Sequence, residues 1–339
     1  MYILLDYSIP TISISEVANR DYSYRPFRIV DPHDPSQYIT LHLTVSSSPV
    51  RKIVKQNQTL TSLHKSNLQK AIRLGNATAA LFSFDWLFLY EPVELFRRLP
   101  IILIEDSCLH AFFPSLVLYG VAYEYIDPVY DTLIYAHTKR VILDTLSNKV
   151  HQRTLVYSEI PEDLQENDPE FFRTYQNTND PFRVCLLIRY CYGGLAGDLR
   201  MIKRFMKAKS LFYTEGSVKK LDVIKEEESY LLNAVDFHVF PTLLDELQKE
   251  LIKHNISVER DLIKSAIWNI RSRTNFREQY VPVVPEWWSM IEPYLTTISK
   301  QYWSVYLSMS GKELKEVKIV PKQKEVKPNT LMNYFSQKR

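Results

Sequence analysis

The chain has 339 residues, with 42 Lys and Arg against 39 Asp and Glu, 45% hydrophobic and 24% charged residues, and a net charge of +3. This is the composition of an ordinary globular protein, long enough for two domains. Only seven glycines argue against an all-β sandwich or barrel, and three cysteines without a CxxC pair exclude a disulfide frame or a zinc site.

The opening, MYILLDYSIPTISIS, lacks a basic leader region, and the longest nearly apolar run, Phe112 to Tyr123, is too short to cross a bilayer. A soluble protein with no membrane partner is expected. From Gly311 onward eight Lys and Arg face three Asp and Glu, a net of +5, which leaves −2 for residues 1–310. A basic end on a near-neutral body favours a partner for that end over a uniformly basic nucleic-acid surface.

Residues 1–60 read as a small β-rich part: ILL, TISIS and YITLHLTV are β-branched or alternate with polar residues, around the joint DPHDPS. A helical module is predicted over 61–152. Ser66 is placed to cap SNLQKAIRL, Gly75 to stop it and Asn76 to cap the next helix. Pro92 suits a first turn, and Pro100 predicts a kink or restart before IILIED. Further helices are expected from Pro114 to Tyr125 and from Pro128 to Leu146. Residues 153–182 are acidic and proline-bearing, the expected linker.

A second helical domain is predicted over 183–310. There Leu243, Leu244, Leu247, Leu251 and Ile252 are assigned to one helix face, and Ser257 to a cap. Residues 311–339 lose apolar periodicity and read as a disordered basic tail. The predicted fold class is mainly α, with a small β-rich N-terminal part, two helical halves and that tail.

The sequence closes on NTLMNYFSQKR. Wound into one turn, Leu331, Tyr334 and Phe335 share a side that can be buried only against a partner. These residues resemble the peptide motif that docks on the sliding clamp, proliferating cell nuclear antigen (PCNA). Leu331 stands at the aliphatic position and Tyr334 and Phe335 at the aromatic pair. Pro328 occupies the position of the motif's glutamine, so the polar contact is lost and the apolar plug kept.

The stretch His64 to Leu109 carries His64-Lys65-Ser66, Ala71-Ile72-Arg73-x-Gly75, Ala79-Ala80-Leu81, Arg97-Arg98-Leu99 and Ile104-Glu105-Asp106. It resembles the C-terminal helical region of clamp-loader-related AAA+ ATPases of the MgsA/Werner-helicase-interacting-protein type. The resemblance implies a helix-packing or oligomerisation module, hence a homo-oligomer as one expectation. No GxxxxGK[ST] loop is present to cradle a triphosphate, so no ATPase and no cofactor is expected. Arg97 or Arg98 is expected to pair with Glu105 or Asp106.

Three glycines fall within Gly193-Gly194-Leu195-Ala196-Gly197, ahead of Asp198 as a predicted cap. The following helix carries Arg200, Lys203 and Arg204. Backbone N–H groups with cations behind them suit a phosphate of DNA or RNA, while a plain turn suits the glycines equally. Arg271 and Arg273, interleaved with aromatics, are further candidate nucleic-acid contacts. Asp6, Asp106, Asp236 and His238 are the residues to inspect for a metal-dependent nuclease, but they form no recognisable ligand set, and no metal site or catalytic residue is assigned.

The leading expectation is a non-enzymatic DNA replication or repair accessory protein recruited to a sliding clamp. It would work in the nucleus, or in the cytoplasm for a cytoplasmic DNA replicator or a cell lacking a nucleus. A nuclease delivered by the same tail and an oligomeric scaffold are the alternatives.

Overall fold

The structure, a computed structural model, describes residues 2–6, 11–15, 18, 20–21, 24–31, 34–46, 58–107, 109–125, 132–147, 170–178, 180–208, 213–214, 230–272 and 284–316. The fold is mainly helical with a small N-terminal sheet. Among the described residues no helix is long and apolar enough to cross a membrane. The chain divides into two compact units, one of residues 1–55, 88–221 and 321–339, the other of 56–87 and 222–320. The units interleave along the sequence, and the segment 61–152 is divided between them at Leu87 and Phe88.

In the first unit, β1 (Tyr2–Asp6), β2 (Thr11–Ser15), β3 (Arg25–Val30) and β4 (Tyr38–Ser46) form one sheet in the order β2-β1-β4-β3. β1 runs antiparallel to β2 and parallel to β4, with Tyr2 opposite Ser15 and His42; β3 runs antiparallel to β4. Period-two alternation sets the faces: Ile29, Ile39 and Leu41 are buried, while Arg28, Val30 and Tyr38 are exposed.

The helices of this unit are α3 (Pro92–Asp106), α4 (Phe113–Tyr125), α5 (Thr132–Ser147), α6 (Glu170–Tyr175), α7 (Pro181–Cys191) and α8 (Ala196–Lys207). A short parallel pair, β5 (Leu109–His110) and β6 (Tyr213–Thr214), joins distant segments. α3 packs on α4 through Phe96, stacked on Tyr123 at 5.4 Å and edge-on to Tyr119 at 5.7 Å. Pro92 occupies the first turn as expected. Pro100 does not restart the helix: α3 runs through it, with Ile101 to Ile104 all buried, and their burial offsets the hydrogen bond a proline forgoes. Part of the expected linker is folded, since α6 buries Phe171 and Phe172.

The second unit contains α1 (Gln58–Leu74) and most of α2 (Ala77–Tyr90), with α9 (Leu232–His238), α10 (Phe240–Lys253), α11 (Arg260–Ala266) and α12 (Trp288–Glu316). A π-turn, Ile267–Arg271, continues α11. α1 packs on α9, while α10 and α9 pack on α12. Gly75 ends α1 at φ +72°, and Asn76 accepts the Ala79 N–H at 2.9 Å, the stop and cap that the sequence predicts.

Other local expectations are corrected. α1 begins eight residues before Ser66, whose hydroxyl instead accepts from Lys70 Nζ at 2.9 Å. α11 starts at Arg260, so Ser257 does not cap it. Ile252 is 73% exposed although Leu243, Leu244, Leu247 and Leu251 are buried. At 100° per residue it falls outside the arc that those leucines share. α12 continues through Gly311 to Glu316, in a stretch of good helix formers, so the boundary predicted at 311 falls inside a helix.

Candidate functional site

Within the first unit, α3, α7 and the start of α8 gather Arg97, Arg98 and Asp198 around Arg189. Arg189, near the end of α7, is 6% exposed. Its Nε donates to the Arg97 carbonyl at 2.8 Å and its Nη1 to the Gly193 carbonyl at 2.8 Å. Arg98 meets Asp198 at 3.1 Å. Arg97 has long contacts, 3.5 Å to the Tyr192 carbonyl, 3.8 Å to Glu94 and 5.8 Å to the centre of the Tyr192 ring, and its side chain is 42% exposed.

The backbone between these groups needs glycine. Gly193 and Gly194 have φ of +71° and +143°. A Cβ on Gly194 would stand 3.6 Å from Asp198 Oδ2 and 3.8 Å from Arg189 Nη2, so the loop lies directly over the charged cluster. Leu195 then begins α8 without a side-chain cap, and Leu195, Ala196 and Gly197 are exposed. The first-turn N–H groups and the helix dipole add partial positive charge there. Asp198 is not the cap expected of it; it lies inside the first turn and takes Arg98.

Burial, with like-charge repulsion from Arg98 and Arg97, pulls Arg189 down to about 10, and Asp198 offsets part of that shift. The guanidinium therefore stays charged at neutral pH, and among the described residues the cations around it outnumber the carboxylates. Such an arrangement is suited to an anion.

The predicted nucleic-acid contacts are dispersed. Arg200 is exposed on α8. Lys203 is 3% exposed, its ammonium 5.2 Å from the Phe171 ring centre and 5.5 Å from that of Tyr190, so it serves the interior rather than an outer phosphate. Arg204 is buried as well. In the second unit Arg271 meets Asp236 at 2.5 Å and donates to Thr296 Oγ1 at 3.0 Å, which makes it half of an internal ion pair. Arg273, Leu331, Tyr334 and Phe335 lie outside the described residues.

Asp236 and His238 do not converge. Both sit on α9, where two residues separate side chains by about 200°. Asp236 takes Arg271 and the Ser299 hydroxyl, and His238 packs edge-on against Tyr306 at 5.2 Å. Asp106 is buried at the end of α3. Among the described residues no group of His, Cys, Asp and Glu could hold a metal ion. Burial pushes the Cys185 and Cys191 thiols up, away from nucleophilic reactivity.

Sequence reasoning missed Arg189. The available signal was one arginine inside the apolar run CLLIRYC, immediately before two glycines. Nor did that reasoning point to Asp198, one hundred positions away, as a carboxylate that Arg98 meets. The chain matches no protein-family model, no curated protein and no solved structure.

Proposed function

We propose that this chain is a non-enzymatic accessory factor of DNA replication or repair, brought to a sliding clamp by its last residues. The observation that carries the reading is the spacing of Leu331, Tyr334 and Phe335 within a Lys-rich stretch. An aliphatic residue and two adjacent aromatics at these intervals make an apolar plug for a surface pocket, and flanking Lys322, Lys324, Lys327, Lys338 and Arg339 steer it toward an acidic partner. Fourteen residues separate Glu316, the end of α12, from Leu331. A chain of that length reaches roughly 50 Å at most, enough to engage a clamp while the folded body works beside it.

The reading is tested by calorimetric titration of the whole protein against a purified sliding clamp. A Leu331→Ala/Tyr334→Ala/Phe335→Ala variant is measured alongside. Saturable binding that the variant loses is the expected result. No binding by either protein would remove the clamp from the account.

A further inference from the structure

We propose that Arg97, Arg98 and Arg189, gathered around the Gly193–Gly194 loop and the uncapped first turn of α8, form a binding site for a phosphate group. The proposal uses no residue of the tail and so stands apart from the clamp reading.

Arg98 meets Asp198, Arg97 lies 3.8 Å from Glu94, both arginines and Asp198 act on the buried Arg189, and the twelve-residue α8 adds its positive end. Among the described residues these guanidiniums outnumber the carboxylates shown with them, around a buried arginine. Arg189 shows what the surplus is for. Its Nε and Nη1 are fixed by two carbonyls, while Nη2 has no hydrogen-bond partner among the described residues and points to the place where Gly194 lacks a side chain. Carbonyl oxygens orient this guanidinium without neutralising it, the arrangement that preorganises a charge for a ligand.

Arg97 supplies the accessible half. Its contacts are at the outer limit of hydrogen bonding, so the head can turn onto an incoming anion with little loss. Arg98 bridges the two, tied to Asp198 on the first turn of α8. A tetrahedral oxyanion offers oxygens to guanidiniums on several sides and to backbone N–H groups at once, whereas a carboxylate offers two oxygens in one plane. The loop admits it because glycine at 194 and the open space beside Gly197 leave the approach clear. The phosphate would come from a nucleic-acid strand or from a small phosphorylated molecule.

The test is calorimetric titration of the full chain with inorganic phosphate and, separately, with a single-stranded DNA oligonucleotide. Saturable binding of at least one probe is expected, and the tighter probe per phosphate identifies the source. Arg97→Gln/Arg98→Gln should weaken binding by about tenfold or more, with Arg97→Lys/Arg98→Lys recovering part of it. Asp198→Asn should act oppositely, tightening binding by about threefold or more, because it removes the competing carboxylate. That increase separates a ligand site from a merely structural ion pair, since loss of a structural pair raises affinity for nothing. Circular dichroism of each variant confirms that it is folded. Saturable binding of neither probe would overturn the proposal, as would binding unchanged by both the glutamine and the asparagine variants.

Discussion

In the second unit Arg271 meets a fully buried Asp236 at 2.5 Å, the Ser299 hydroxyl donates to the same carboxylate, and Thr296 accepts from the arginine. In the first unit Arg98 meets Asp198 at 3.1 Å, but Arg98 and Arg97 both bear on the buried Arg189, and the Arg97 side chain is 42% exposed. The same residue pair is thus closed in one unit and open in the other. Charge count and access distinguish the two, not residue type. A closed pair fixes helices α9 and α12 to the π-turn; in the proposed phosphate site Arg97 and Arg189 would turn donors to an incoming anion.

The largest expected effect breaks the closed pair. Arg271→Gln leaves Asp236 buried without its cation and should lower unfolding free energy by about 3–5 kcal/mol. Urea denaturation measures this, and a loss below about 1 kcal/mol would show that the pair is not closed.

The second unit holds a further closed site, which sharpens the contrast through pH. His64 stacks on Trp86 at 4.2 Å, with Tyr230 Oη at 2.8 Å from Nε2 and Ser83 Oγ at 3.2 Å from Nδ1. Burial holds its pKa well below the usual value, so folded His64 stays neutral. The unfolded chain takes up the proton as pH falls below about 6.5, binds more protons than the folded one, and is favoured. Stability should therefore drop on acidification by up to about 1.4 kcal/mol per pH unit from this group, a dependence that His64→Gln should flatten. His110 and His238 shift in the same direction, also through burial, so the difference between wild type and variant is the quantity to read.

Smaller effects probe the open site and the surface. Gly194→Ala places a side chain at φ +143° and should cost of order 1 kcal/mol, seen as a lower unfolding midpoint. Asp245→Asn removes the half-exposed pair with Arg260 at 2.7 Å and should change stability by less than about 0.5 kcal/mol. A large loss there would mean that exposed pairs in this protein bear more than their geometry allows.

What was legible in the sequence is what neighbours along the chain decide. Gly75 and Asn76 show it: a stop and a cap act within four residues, and both are in place. The β-branched stretches became the N-terminal strands for the same reason. Legibility ended where partners are distant. Ser66 looked like a cap because the helix residues before it are polar, and only its packing with α9 reveals a mid-helix position. Asp198 had every local mark of a cap, but Arg98 claims it. Lys203 looked like a surface cation until Phe171 and Tyr190 closed over it. Arg189 became visible once α3 supplied the Arg97 carbonyl that orients it.

The most direct test compares unfolding of wild type, Arg271→Gln and Arg97→Gln/Arg98→Gln in chloride and in phosphate at matched ionic strength. Phosphate strengthens burial in any protein, so the difference among the three is the readout. The account predicts that wild type and Arg271→Gln gain the same extra stability from phosphate, although Arg271→Gln starts lower, and that the double arginine variant loses that gain while changing little in chloride. An equal gain in all three proteins would contradict it, for then the first unit's arginines would be no more open to an anion than the buried pair of the second.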